Sequence, residues 1–189
     1  SIDALVDISN YVMLEIGQPM HAFDSDRLKG DICVRRAKPR ERIKLLDGEP
    51  ITLDADALLI TDGSGAVALA GIKGGVGTMI HEGTRAIFLE AAFFDPNGIA
   101  RTARRHNLNT DASHRFERGV DFQLPAKAIE RASALVLQIC GGTCGPRVES
   151  AARRLLPKRK WVTLRAARLQ RMLGVKVPTA KVSGVFAAL

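Results

Sequence analysis

Aromatic side chains are scarce: seven Phe, one Tyr and one Trp make up 5% of the 189 residues. That is too few for a platform holding single-stranded nucleic acid by stacked bases. Cysteine is scarcer still. Cys33, Cys140 and Cys144 are an odd set with no matching second pair, which argues against a disulfide scaffold and fits a reducing cytosol. Cys140-x-x-x-Cys144 has no second half to complete a zinc site, so no metal is expected. No apolar run is long enough to insert into a bilayer, so no membrane partner is expected. The opening Ser1-Ile2-Asp3-Ala4 is neither a signal peptide nor an initiator sequence, and suggests an excised piece. Acid is in deficit: 28 Lys and Arg against 20 Asp and Glu give a net charge of +8 and a pI near 9.9. An anionic partner follows, nucleic acid before membrane.

What is present is ordinary for a globular protein, 46% apolar and 25% charged, and long enough for one cored domain and part of another. Residues 2–13 alternate poorly and fit a helix or a buried turn. Gly17-Gln18-Pro19-Met20-His21-Ala22-Phe23-Asp24 reads as a loop that presents His21 between apolar neighbours. From Asp31 the pattern becomes strand-like. Residues 43–46 and 51–53 flank Asp47-Gly48, a type I′ hairpin signal. Residues 58–61 and 67–72 flank Gly63-Ser64-Gly65, a second hairpin. Residues 70–77 are Gly-rich without Walker spacing, so the glycines point to close backbone approach, by a strand or a ligand. Pro125 opens a helix with a stripe of Ile129, Ala132, Val136 and Ile139, ended by Gly141-Gly142. Residues 153–161 hold Pro157 among five basic residues and read as a linker. Two short helices follow, over residues 165–173 and from Pro178 onward.

The segment 89–121 organises the rest. Glu90 stands inside an apolar strand-like run where Phe88 and Glu90 share a face, and an ionised carboxylate there is costly unless paired. Asp95-Pro96 breaks the strand. Arg101, Arg104 and Arg105 follow at helical spacing, and after a polar turn His114, Arg115 and Arg118 form a second basic cluster. One alternative is a polar pocket beside a polyanion. The other is an edge carboxylate next to a solvated basic helix.

Several stretches, taken in order, resemble the bacterial phenylalanyl-tRNA synthetase beta subunit, in its central editing module. They are residues 10–15, 17–24, 70–75, 89–94 (Leu89-Glu90-Ala91-Ala92-Phe93-Phe94), 110–113 and 118–121. The resemblance covers residues 1–155. Residues 156–189 look like a linker and the truncated start of the next, DNA-binding-like domain. The resemblance implies an α+β fold, a three-layer β/β/α sandwich of unusual topology.

It also implies an activity: hydrolysis of tyrosine misesterified to the phenylalanine tRNA. A pocket built for phenylalanine rejects an analogue that adds a hydroxyl by only about a hundredfold, whereas a site demanding that hydroxyl discriminates on the order of ten-thousandfold. Glu90 matches the demanding group, since a carboxylate accepts the phenolic proton in a charge-assisted hydrogen bond. His21 matches a histidine near the scissile ester, as general base or as positioner of water. Ser9 and Asn10 match a hydroxyl and an amide of the same pocket, though the family often has Thr at the position of Ser9. Pro19 is carried over as a substrate-binding residue, and Gly74 and Ala112 match small residues that leave room for the ring. Arg101, Arg104, Arg105 and Arg115 are candidates for tRNA contact. The implied partners are the acceptor end of tRNA(Phe) and the alpha subunit of a heterotetramer of two alpha and two beta chains, in the cytoplasm. No cofactor is expected in this piece; ATP and magnesium belong to the complete alpha/beta enzyme. A non-catalytic RNA-binding and subunit-interaction module is the alternative.

Overall fold

The computed structural model describes residues 3–158 and 160–189. Ser1, Ile2 and Arg159 lie outside the described residues, and with them the start of the expected 2–13 segment and one cation of the linker. The chain divides into two compact units, Ser1–Ser150 and Ala151–Leu189.

The first unit opens with helix α1, Ala4–Ile16. Asp3 caps it by accepting from the Leu5 amide at 2.8 Å, and Gly17 closes it at φ 80°, a conformation glycine reaches without a Cβ penalty. Ile8 and Val12, one turn apart, are its buried face, so the segment that alternates poorly as a strand is regular as a helix. The expected loop over residues 17–24 is mostly strand. Only residues 17–19 are irregular; β1, Met20–Asp24, pairs antiparallel with β8, Ile87–Ala91, from Met20 opposite Ala91 to Asp24 opposite Ile87. Pro19 precedes the strand, where its missing N–H costs no ladder bond.

Between the two lie the hairpins. Strands β3, Arg42–Lys44, and β4, Pro50–Thr52, pair as expected. The turn is not type I′: Gly48 takes φ 85° but Asp47 is not among the residues with positive φ. A type I′ turn needs two such residues, and here Leu45 still bonds Glu49 across a longer loop. Strands β2 (Cys33–Arg36), β5 (Leu58–Asp62), β6 (Gly65–Leu69) and β7 (Lys73–Gly74) form a sheet of order β2-β5-β6-β7.

Side-chain alternation sets the layers. On the β1–β8 ribbon, Met20, Leu89 and Ala91 pack with Ile8 and Val12 of α1 and with Ala128 and Ala132 of helix α4, Leu124–Cys140. The opposite face sends Phe23, which is fully buried, into the core of the four-stranded sheet with Leu59, Ile60, Val67 and Leu69. Helices, ribbon and sheet are therefore the three layers of an α+β, β/β/α sandwich. The buried stripe of α4 is shifted from the expected one: Ala128 and Ala132 are enclosed while Ile139 is 61% exposed. Small residues let α4 approach α1 closely, and that contact selects the face. The polar turn before the second basic cluster is a helix start. Helix α2, Pro96–Arg105, is capped by Asp95, and α3, Asp111–Arg118, by a reciprocal capping box of Thr110 and Ser113.

In the second unit, a short 3-10 turn Arg153–Leu155 precedes α5, Ala166–Leu173, closed by Gly174, and α6, Thr179–Ala188. None of the described helices is long and apolar enough to cross a membrane.

Gln18 clamps the open end of the ribbon. Fully buried, it donates from Nε2 to the carbonyls of Pro19 and Ala92 at 3.0 and 2.9 Å. Replacing it with Leu strands those carbonyls, and urea denaturation should show a loss of about 2 kcal/mol; an unchanged midpoint would remove Gln18 from this role.

Candidate active site

His21 and Glu90 stand directly opposite each other in the β1–β8 pairing, so their side chains share a face. Both line one open cavity of about 580 Å³ including its mouth, with Pro19, Gly74, Ala112, Leu46, Lys73, Phe94 and Phe116. The ribbon supplies the two ionisable groups. The β6–β7 turn supplies Gly71, β7 supplies Gly74, and the start of α3 supplies Ala112. Phe94 and Phe116 meet edge to face, with ring centroids 5.1 Å apart, and form an apolar wall.

The electrostatics follow from the walls. His21 is packed edge-on against Phe23 at 4.5 Å between centroids, and its Nε2 is buried with no hydrogen-bond partner among the described residues. Burial lowers its pKa to about 4, so the imidazole is neutral at pH 7 and Nε2 is free to accept or donate according to its tautomer. Glu90 also has no hydrogen bond or ion pair among the described residues, and burial alone pushes its carboxyl up to about 7. No bond links the two. Side by side, a neutral imidazole and a carboxyl poised to ionise at working pH are what proton management in an apolar pocket requires.

Gly74 is explained by distance. A Cβ there would fall 2.6 Å from His21 Nε2, closer still to Cε1, and 3.2 Å from Leu46 Cδ1. The glycine makes room first for the imidazole. Gly71, at φ 69°, similarly faces Phe94 and Ile99. The close approach expected of this Gly-rich segment occurs both against side chains and against a strand, since a Cβ at Gly75 would meet the Val67 carbonyl oxygen at 2.6 Å.

Other expectations part from the geometry. Ser9 and Asn10 lie on α1 and are not among the residues lining the cavity. The Ser9 hydroxyl is spent on the Val6 carbonyl at 2.8 Å, the back-bonding habit of serine in a helix. The four arginines also separate. Arg105 is paired with Asp56 at 2.6 Å and Asp54 at 3.3 Å, and Arg115 with Asp111 at 3.3 Å. Arg101 lines a different cavity, beside Arg36, Asp56 and Asp95, and Arg104 is exposed. The wall residues Leu46, Lys73, Phe94 and Phe116 carry no sequence signal beyond hydrophobicity or charge, because the pairing of distant strands brings them together. Among the described residues no group of three or more His, Cys, Asp or Glu is placed to hold a metal ion.

An α+β sandwich with this cavity between ribbon and sheet defines a class, and the comparisons agree: the B3/4 domain model matches residues 1–141, and the chain belongs to that family. Over all 189 residues it is 52% identical to the phenylalanine–tRNA ligase beta subunits of Idiomarina loihiensis and of Dechloromonas aromatica, and 50% identical to that of Pseudomonas syringae pv. syringae. It spans 24% of the length of each of these relatives. An N-terminal fragment of the phenylalanyl-tRNA synthetase beta subunit from Pyrococcus horikoshii superposes with a TM-score of 0.41 at 18% identity, over 47% of this chain and 34% of that one.

Two measurements check the electrostatics and the packing. Glu90 is raised from 4.5 to about 7 on folding, so the folded chain holds its proton longer. The resulting penalty grows as pH rises from the unfolded to the folded value and is complete above it, on the order of 3 kcal/mol. His21, lowered from 6.5 to about 4, does the reverse: its penalty grows as pH falls through that window. Glu90→Gln should therefore raise stability at about pH 8 and leave it nearly unchanged near pH 4; equal effects at both would contradict the burial. Gly74→Ala should displace the imidazole and cost about 1–3 kcal/mol, visible in denaturation and in the His21 ring resonances.

Proposed function

We propose that this chain is the editing module of a phenylalanine–tRNA ligase beta subunit and hydrolyses tyrosine misattached to tRNA(Phe). The observation that carries the reading is the shared cavity of His21 and Glu90, two half-buried ionisable groups with no side-chain partner among the described residues. A packed core has no use for such a pair; a substrate with a phenol at one end and an ester at the other does.

The phenol donates to Glu90. Accepting that hydrogen bond favours the charged carboxylate and draws its pKa back down in the complex. A phenylalanyl ring offers nothing in return, so the ionised group stays desolvated and unpaired against it. Phe94 and Phe116 bury the ring, and Gly74 and Ala112 leave the space it needs. His21, neutral at the working pH, holds a water by Nε2 and aims it at the carbonyl carbon. Attack and collapse release tyrosine and leave the ribose hydroxyl free. No serine or cysteine lies among the cavity's lining residues, so the reading is of direct attack by water without an acyl-enzyme. The tRNA(Phe) acceptor end and an alpha subunit are the partners this function entails, and amino-acid activation with ATP and magnesium falls to the rest of the enzyme. The competing interaction-module reading leaves the two unpartnered groups without a purpose.

Deacylation of tyrosyl- and phenylalanyl-tRNA(Phe) by the purified chain tests this. Glu90→Ala should lower the preference for the tyrosyl ester by roughly 10–100-fold, the worth of a hydrogen bond to a charged group, and His21→Ala should lower kcat by about a hundredfold. An unaltered preference in Glu90→Ala would sink the assignment of that residue. Because Glu90 ionises at about 7, preference for the tyrosyl ester should climb as pH rises from about 6 to 8 and become flat in Glu90→Gln. Ala112→Trp should fill the cavity, and a folded variant with normal deacylation would argue against this placement of the substrate.

A further inference from the structure

The segment that leads to the cavity wall at Leu46 carries a row of exposed cations. Between Arg35 and Lys44 the chain carries Arg35, Arg36, Lys38, Arg40, Arg42 and Lys44 against a single acid, Glu41. That acid is already neutralised: Arg35 grips it through both nitrogens at 2.7 and 2.8 Å, and its pKa falls to about 2, through the Arg35 hydrogen bond first. Arg36 is turned to the Asp56 carbonyl. Lys38, Arg40, Arg42 and Lys44 are left exposed; the Lys38 amide donates to Glu41 at 2.7 Å, but none of the four side chains makes a hydrogen bond or ion pair among the described residues. Of the acids nearby, Asp47 is held by Lys73, Asp54 faces Arg105 and His106, and Glu49 in the hairpin turn has no ion pair among the described residues.

Position gives this charge a direction. In β3, Ile43 points inward while Arg42 and Lys44 stand on the outer face, about 6.6 Å apart by strand rise. The strand then runs into the cavity wall. Leu45 bridges to Gly75, the Leu46 amide donates to the Gly74 carbonyl at 3.0 Å, and Leu46 itself lines the cavity beside His21. The row therefore ends two residues short of the cavity wall at Leu46. By contrast, two of the four arginines of α2 and α3 singled out in the sequence are consumed in ion pairs.

We propose that Lys38, Arg40, Arg42 and Lys44 are a phosphate track that leads the single-stranded 3′ end of an RNA into the cavity past Leu46. This rests on the reading of the cavity as a site for aminoacyl-RNA esters. Lys38 and Arg40 on the turn and Arg42 and Lys44 on the outer face of β3 form an exposed basic run that suits a phosphodiester backbone, and the scarcity of aromatics in that run fits a grip on charge without base stacking. The track supplies affinity and register, and the cavity supplies selection.

The test separates the two ideas. Binding of the full chain to a labelled single-stranded oligoribonucleotide ending in CCA is measured against salt, alongside hydrolysis of tyrosine ethyl ester, which has no phosphate. Arg42→Gln with Lys44→Gln should weaken oligonucleotide binding about tenfold and reduce the slope of log affinity against log salt by about 1.4, two contacts' worth on a single strand. Ester hydrolysis by that double variant should equal that of the unaltered chain. Arg101→Gln with Arg104→Gln should leave both unchanged. The proposal is overturned if the unaltered chain binds no oligonucleotide, if the β3 variant binds normally, or if the α2 variant takes the larger loss. Salt-sensitive binding through β3 in a chain that hydrolyses no tyrosyl ester would keep the track and reject the hydrolase.

Discussion

Two side chains that water would charge are held in apolar surroundings on neighbouring strands, and most of the fold is arranged to keep them there. Glu90 is ready to ionise near neutral pH and His21 is unwilling to protonate. Neither neutralises the other. Each instead faces the same empty space, so the desolvation cost of both is carried by the sandwich around them, chiefly by Phe23 and the sheet core on one side and the α1–α4 contact on the other. A site built this way gains sensitivity: a ligand with the right proton recovers energy that the folded chain has already spent.

The surrounding details serve the same end. Gly74 yields its side-chain volume to the imidazole, and Gly71 yields its own to Phe94 and Ile99. Gln18 joins the entry to β1 with the exit from β8, which fixes the strand register that sets His21 opposite Glu90. A slip of one residue would send both groups to the helical face. The capping box of Thr110 and Ser113 holds the first turn of α3, and the Thr110 hydroxyl also bonds the Ile72 carbonyl at 2.9 Å, so the wall that carries Ala112 is tied to the glycine-rich turn.

Much of this was legible in the chain. Turn residues and caps announce themselves locally, so the two hairpins and the helices over 96–105, 124–140 and 166–173 follow from Pro, Gly, Asp and apolar spacing. Glu90 stood out because a lone carboxylate in an apolar run asks for a reason. The strand character of residues 20–24 was hidden: Gly17 and Pro19 look like loop, and the evidence for the strand is a partner near residue 90. Ser9 and Asn10 were matched by motif, yet orientation on a helix decides which groups reach a cavity, and theirs do not line it. The arginines of α2 and α3 were visible as charge, but their ion pairs with Asp54, Asp56 and Asp111 were not, since two of those acids lie in another part of the chain. The basic run at 35–44 drew no notice in the sequence and gains meaning only from the path that carries it to Leu46.

The ribbon has a kinetic corollary. Its clamp joins residues 74 positions apart, so the cavity cannot exist until the intervening hairpins have formed and brought both ends together, a closure that demands most of the unit's chain entropy in advance. Emergence of α4 must also precede a stable ribbon, because the helical layer covers its second face. A growing or partly unfolded chain consequently carries no half-built version of the cavity.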